Sequence, residues 1–192
     1  VLTFEPMPKM FFNKKIKNFR ISNLDQKYQL LKKLSVDFII NKKFDKRFSK
    51  IKSLDFIKNV IHKKLKAKFV FVSNNFKYGN KREGNVSQLI NFEKKYDYKI
   101  IKSEPKKIKK KVISSSLIRN LLRKGNLEKA NKYLKRNWSI IGKVEKGRKL
   151  GKKIGFPTCN LDIKEYVLAM PGVYAVKAAR QNSNTWIKGI AN

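Results

Sequence analysis

Cysteine, histidine, acidic residues and long apolar runs are all scarce in this chain of 192 residues. The single cysteine, Cys159, excludes an intrachain disulfide and fits a reducing cytoplasm. The single histidine, His62, lies within a helical pattern and reads as a structural or surface residue. No apolar run approaches the ~20 residues that span a bilayer, and no signal peptide opens the chain, so no membrane partner is expected. Thirteen Asp and Glu stand against 48 Lys and Arg, which leaves a formal charge of +35.

Taken alone, that charge suggests a polyanion, because Lys and Arg displace counterions from nucleic acid. The basic residues, however, run from Lys9 to Lys188 instead of gathering in one tail, and most fall on the outer faces of predicted helices. Codon bias toward Lys, Asn and Ile, together with a phosphate-rich ligand, explains this spread better than a dedicated nucleic-acid surface. No specific nucleic acid is therefore expected. The apolar share of 41%, with thirteen Phe and seven Tyr, is that of a folding chain. Its length suits one ordinary domain or two small ones.

The first hundred residues alternate strand and helix. Val1–Phe4 reads as a short strand stopped by Glu5-Pro6-Met7-Pro8. Phe19–Ile21 is extended, and Ser22 with Asp25 resembles a capping box before a helix bearing Leu24, Tyr28, Leu31 and Leu34 on one face. Val36–Ile40 reads as a strand. Ser53 opens a helix whose predicted buried stripe is Leu54, Ile57, Ile61 and Leu65. Lys68–Val72 is a strand, Val86–Tyr96 a helix and Tyr98–Lys102 a strand. Such alternation implies parallel strands with crossover helices, and ligands at the carboxyl ends of the strands.

After Leu134 the helical period disappears. Trp138–Val144, Val173–Ala179 and Trp186–Ala191 are strand candidates, punctuated by glycine and proline, and they suggest a β-barrel or sandwich beginning near Asn137. The expected division is residues 1–136 and 137–192.

Four segments carry candidate chemistry. The first, Thr3-Phe4-Glu5-Pro6-Met7-Pro8, ends a strand. The second, Asn75-Phe76-Lys77-Tyr78-Gly79 followed by Arg82-Glu83-Gly84, also follows one. In the third, Ile113-Ser114-Ser115-Ser116-Leu117-Ile118-Arg119, consecutive hydroxyls precede a helix. Free N–H groups and the positive end of the helix dipole suit an anion there, and Arg119 adds a fork of donors one turn further in. On the local sequence alone the better reading is that Ser114 or Ser115 is an ordinary cap with Arg119 solvated, because serine caps are common. The fourth runs from Gly142 through Gly147-Arg148-Lys149-Leu150-Gly151 to Gly155-Phe156-Pro157-Thr158-Cys159-Asn160-Leu161. Its glycines admit a backbone close to phosphate oxygens, and Thr158 and Asn160 offer oxygens to a hard cation. A plain β-turn set by Gly155 and Pro157 explains the same residues.

In this order the four segments resemble those of the bacterial bifunctional riboflavin kinase/FMN adenylyltransferases, the FAD synthetases. The fourth is similar to the kinase motif Gly-Phe-Pro-Thr-Ala-Asn-Leu, with Cys159 for Ala. The third resembles Ser-Ser-Thr-x-Ile-Arg, with Ser116 for Thr. The second resembles Gly-x-x-Phe-x-Phe-Gly, with Ser73 for its first Gly. The first resembles Thr-Phe-x-Pro-His-Pro, with Met7 for His.

The resemblance implies a Rossmann-like α/β nucleotidyltransferase sheet, incomplete at its N-terminus, followed by part of a riboflavin-kinase β-barrel. It implies that Ser114, Ser115, Ser116 and Arg119 bind ATP for adenylyl transfer, and that in the flavin-binding set Asn75 contacts the flavin ring or its phosphate while Phe76 and Tyr78 shape the pocket. It assigns Gly147, Lys149, Gly151, Gly155, Thr158 and Asn160 to ATP in the kinase, with Thr158 and Asn160 serving Mg2+. Riboflavin, FMN and ATP are the implied small-molecule partners. The family's His-x-Gly-His motif and the kinase's acidic catalytic residue find no match here, so the chain reads as an internal piece that is inactive by itself. A basic nucleic-acid-binding protein and another nucleotidyltransferase of the same superfamily are the competing expectations.

Overall fold

The computed structural model describes residues 1–109, 111–147, 155, 158–181 and 183–192. The chain forms two compact units, each discontinuous in sequence: residues 1–15 with 36–113, and residues 16–35 with 114–192. It is mixed α/β, with parallel strand pairs in the first unit and antiparallel ladders in the C-terminal stretch of the second.

In the first unit Leu2–Glu5 pairs with Ile40–Lys43, and Phe69–Ser73 pairs with Lys99–Ser103, both parallel as the alternation implies. Each pair is a separate two-stranded sheet. The strand expected at Val36–Ile40 starts only at Ile40, because its register is fixed by Leu2 opposite Ile40, not by the local run of β-formers.

The core of this unit gathers Phe56, Ile57, Ile61, Val72, Tyr78, Val86, Leu89 and Tyr98. The expected stripe on the Ser53 helix is corrected at one end, since Leu54 is 48% exposed while Phe56 is buried. After a single α turn the segment Phe56–Lys64 is a π-helix, and Leu65 N–H bonds to Val60 O at 2.9 Å, five residues back. The widened turn brings Phe56, Ile57 and Ile61 onto one side and rotates Leu54 away. The helix expected over Val86–Tyr96 is two, Val86–Asn91 and Glu93–Tyr96, broken at Phe92.

In the second unit the helices Leu24–Lys32, Ser115–Arg123 and Leu127–Leu134 stand with the C-terminal strands. Ile118, Leu121, Leu122, Ala130 and Val167 form its core. The first of these helices is capped one residue later than expected, by a reciprocal capping box between Asn23 and Gln26. Ser22 instead accepts from Arg136 Nη2 at 2.8 Å. Leu34, expected on the apolar face, lies past the helix end and is 75% exposed, and Gln26 is the buried residue.

Of the run Trp138–Val144 only Val144 joins a strand. Trp138 is occupied otherwise, its Nε1 donating to Ile21 O at 2.9 Å. Val144–Glu145 pairs with Asn160–Leu161, and Tyr174–Ala178 with Ile187–Ala191. Among the described residues these ladders stay two-stranded and do not close into a barrel.

Candidate functional site

The serine segment begins the Ser115–Arg123 helix. Ser114 is its cap: an extended backbone (φ −135°, ψ 158°) lets Oγ accept the Leu117 N–H at 3.2 Å. Ser115 and Ser116 are exposed in the first turn. Ile118, Leu121 and Leu122 anchor the opposite side of the helix in the core.

Arg119 lies one turn beyond Ser115 and is not a freely solvated side chain. Its Nε donates to Phe19 O at 2.7 Å, and its guanidinium carbon sits 3.6 Å from the centre of the Phe19 ring. Burial, and after it the neighbouring Arg123, lowers the pKa of the group from its ordinary value. An arginine nonetheless stays charged. Among the described residues this half-buried cation has no carboxylate partner. The exposed Ser115 and Ser116 lie one turn earlier on the same helix, where free N–H groups suit an anion.

In the fourth segment, the ladder of Val144–Glu145 with Asn160–Leu161 brings the two ends of the glycine-rich stretch together. Asp162 N–H extends the pairing to Lys143 O at 3.2 Å. Asn160 turns its amide onto Gly147, where an added Cβ would lie 2.1 Å from Nδ2. A side chain at this position would displace that amide. Gly155 has φ +81° with nothing within 4 Å of its missing side chain. Thr158 and Cys159 are exposed. Lys149 and Gly151 lie outside the described residues.

No cluster of three His, Cys, Asp or Glu suited to a metal occurs among the described residues. The hydroxyl of Thr158 and the carbonyl of Asn160 are hard, neutral oxygen donors. They fit a Mg2+ that draws its remaining ligands from phosphates and water.

The second segment lies in the first unit, after the Phe69–Ser73 strand. Asn75 is exposed and accepts from Ser73 Oγ at 3.0 Å. Phe76 is half-buried and stacks nearly parallel on Tyr78, with ring centres 5.7 Å apart. Tyr78 itself is buried in the core and donates to Gln88 Oε1 at 2.9 Å, and burial raises its pKa.

Gly79, at φ +75°, packs against the Ser53 backbone, where a Cβ would meet Cα and N at 2.8 Å. Glu83 Oε1 accepts the Ser53 N–H at 2.7 Å and so caps that helix from a distance of thirty residues in sequence. Lys52, Ser53, Asp55, Glu83 and Gln88 border an open hollow of about 420 Å³. In the first segment Thr3 and Phe4 lie in the Leu2–Glu5 strand, and Met7 precedes the Pro8–Phe12 helix. Sequence reasoning missed Phe19 and Glu83: neither belongs to a local pattern that announces its partner, one hundred residues away for Phe19 and thirty for Glu83.

Fold and site together define a mixed α/β protein whose hydroxyl-, amide- and cation-bearing segments sit at helix and strand ends. The chain belongs to the FAD synthetase family, whose model matches residues 1–117. The riboflavin kinase model matches residues 134–192.

Among curated relatives, the bifunctional riboflavin kinase/FMN adenylyltransferase of Buchnera aphidicola subsp. Schizaphis graminum is 36% identical over 178 residues, which cover 92% of this chain and 57% of that protein. The protein of the same name from Haemophilus influenzae is 35% identical over all of this chain and 62% of its own length. That of Escherichia coli K12 is 32% identical over all of this chain and 61% of its length. The chain thus spans about three-fifths of the curated relatives it matches.

A solved structure named macrolide-efflux protein from Streptococcus pneumoniae superposes with a TM-score of 0.83 at 25% identity, covering 99% of this chain and 61% of that one. Efflux is said of that protein, and what the two share is the fold. Among the described residues no helix is long and apolar enough to cross a membrane.

Proposed function

We propose that this chain serves FAD synthesis in two ATP-dependent steps, phosphorylation of riboflavin to FMN and transfer of AMP from a second ATP to FMN. The observation that carries this reading is Arg119, a half-buried cation held one turn inside a mouth of exposed hydroxyls and lacking a carboxylate partner among the described residues. Residues 1–136 are proposed as the adenylyltransferase part, of Rossmann-like type, and 137–192 as part of the kinase barrel. This division follows the motifs, and the packing groups residues 16–35 and 114–136 with the second part.

In the first step the ribityl hydroxyl of riboflavin attacks the γ-phosphorus of ATP, and ADP leaves. The backbone at Gly147 would approach the phosphates, and Thr158 and Asn160 would hold the cation; the resemblance assigns Lys149, Gly151 and Gly155 to the same ATP. Mg2+, when bound, supplies charge neutralisation of the phosphate oxygens. In the second step an FMN phosphate oxygen attacks the α-phosphorus of ATP, and pyrophosphate leaves.

The work of this chain's residues there is positioning and electrostatic stabilisation. The N–H groups at the helix mouth, the Ser115 and Ser116 hydroxyls and the Arg119 fork face the growing charge. Ser114 holds the mouth open by capping it. Asn75 and Phe76 contact the flavin, with Tyr78 fixing the turn from the core. Assayed by itself, the chain is proposed to turn over negligibly in both reactions. The ATP requirement and the single exposed thiol suit a reducing cytoplasm.

The charge of +35 supports nucleic-acid binding as the competing reading. Titration of the chain with FMN, followed by flavin fluorescence, separates the two. Saturable quenching that survives moderate salt and excess polynucleotide is expected. Tight polynucleotide binding with a steep salt slope and no FMN quenching would overturn the proposal.

A further inference from the structure

We infer that Phe19 is a positioning residue for adenylyl transfer, holding Arg119 in the orientation in which it receives phosphate. The inference rests on the helix-mouth site proposed above. It goes beyond the serine–arginine segment, because Phe19 lies one hundred residues earlier in the chain.

Two contacts from one residue restrain the guanidinium. The Phe19 carbonyl takes Nε–H, and the Phe19 ring lies against one face of the planar group. Among the described residues only Nε of this group is bonded, and the Nη edge is the one that pairs with two phosphate oxygens at once.

Phe19 is itself well fixed. Its N–H and that of Arg20 both bond to Glu165 O, at 3.1 and 2.8 Å, and Val167 N–H bonds back to Arg20 O at 2.8 Å. Arg20, buried, is also ion-paired with Glu165 at 3.3 Å. Val167 continues into the core that holds Ile118 and Leu122 of the Arg119 helix. The platform and the helix therefore share one rigid base. An arginine ordered before its ligand arrives spares the ligand the loss of side-chain rotamer freedom, so the platform acts on affinity through Arg119.

The carbonyl contact belongs to the backbone, so Phe19→Leu removes only the ring. ATP binding is measured by calorimetry in an Asn160→Ala background, so that the helix-mouth site alone is read. Phe19→Leu is expected to weaken ATP roughly five- to tenfold and Phe19→Tyr less than twofold. With Arg119→Ala already present, Phe19→Leu is expected to add less than twofold.

Equal weakening with and without Arg119 would show a merely structural role and overturn the inference, as would failure of Tyr to restore binding. Absence of ATP binding by the parent chain would sink the site itself and the inference with it. A ligand-free readout is the Arg119 Nε–H proton resonance, shifted by the ring current of Phe19. Loss of that shift in Phe19→Leu and its retention in Phe19→Tyr are expected, and an unchanged resonance in Phe19→Leu contradicts the stacking.

Discussion

Tyr166 and Gln26 are bonded to each other inside the second unit, the phenol donating to Gln26 Oε1 at 2.8 Å. The same phenol accepts the Ile141 N–H at 3.0 Å, and Gln26 Nε2 reaches Ser139 O at 2.9 Å. One buried pair thus joins the Leu24–Lys32 helix to two stretches of the C-terminal region. Tyr166→Phe leaves the Ile141 N–H without its partner and is expected to destabilise the unit by about 1–3 kcal/mol. Urea denaturation measures this, and an unchanged midpoint contradicts the assignment of Tyr166 as a hub.

The three serines at the helix mouth have separable roles. Ser114→Ala removes a cap and is expected to lower stability by about 1 kcal/mol. Ser115→Ala and Ser116→Ala touch no structural bond and are expected to leave the melting temperature in place while weakening ATP binding. If all three variants behave alike in both assays, the division between cap and ligand contacts is wrong.

Gly147 sets the position of the side chain that lies over it. In Gly147→Ala the Asn160 amide must swing away, because the new methyl falls 2.1 Å from Nδ2. The obstacle is the end of an exposed side chain, so the stability change is expected to stay within about 0.5 kcal/mol. Mg2+-dependent ATP binding is expected to fall at least tenfold. Wild-type affinity in this variant would remove Asn160 from the cation site.

Alkali probes the core of the first unit. Tyr98 is buried, donates to Leu89 O at 2.6 Å, and has its pKa pushed up to about 12 by burial. Tyr78 is raised for the same reason. A raised folded pKa means that the contribution is complete below the ordinary value of 10.0 and is lost as pH climbs through the folded value. Stability is therefore expected to hold up to about pH 10 and to decline toward 12. Tyr98→Phe should flatten that decline, and an identical slope in the variant speaks against it.

Parallel pairing was legible in the sequence because Leu2–Glu5, Ile40–Lys43, Phe69–Ser73 and Lys99–Ser103 are separated by segments of helical period. Leu54 was misread because a period of 3.6 cannot anticipate the π-helical turns that bring Phe56 inward. Gln26 was missed because burial of a polar residue depends on partners such as Tyr166, 140 positions away. The serine and glycine segments were visible as motifs, since their chemistry is local. The setting of Arg119 was not, because Phe19 comes from another part of the chain. Trp138–Val144 looked like a strand by alternation, yet Trp138 spends its indole N–H on Ile21 O.

Two distinct phosphate-binding places on one polypeptide are the heart of this account, and a calorimetric titration with ATP in the presence of Mg2+ weighs them directly. The predicted isotherm has two sites, one removed by Arg119→Ala with the other intact, and the second removed by Asn160→Ala with the first intact. A single class of site indifferent to both substitutions, or no heat at all, would contradict it.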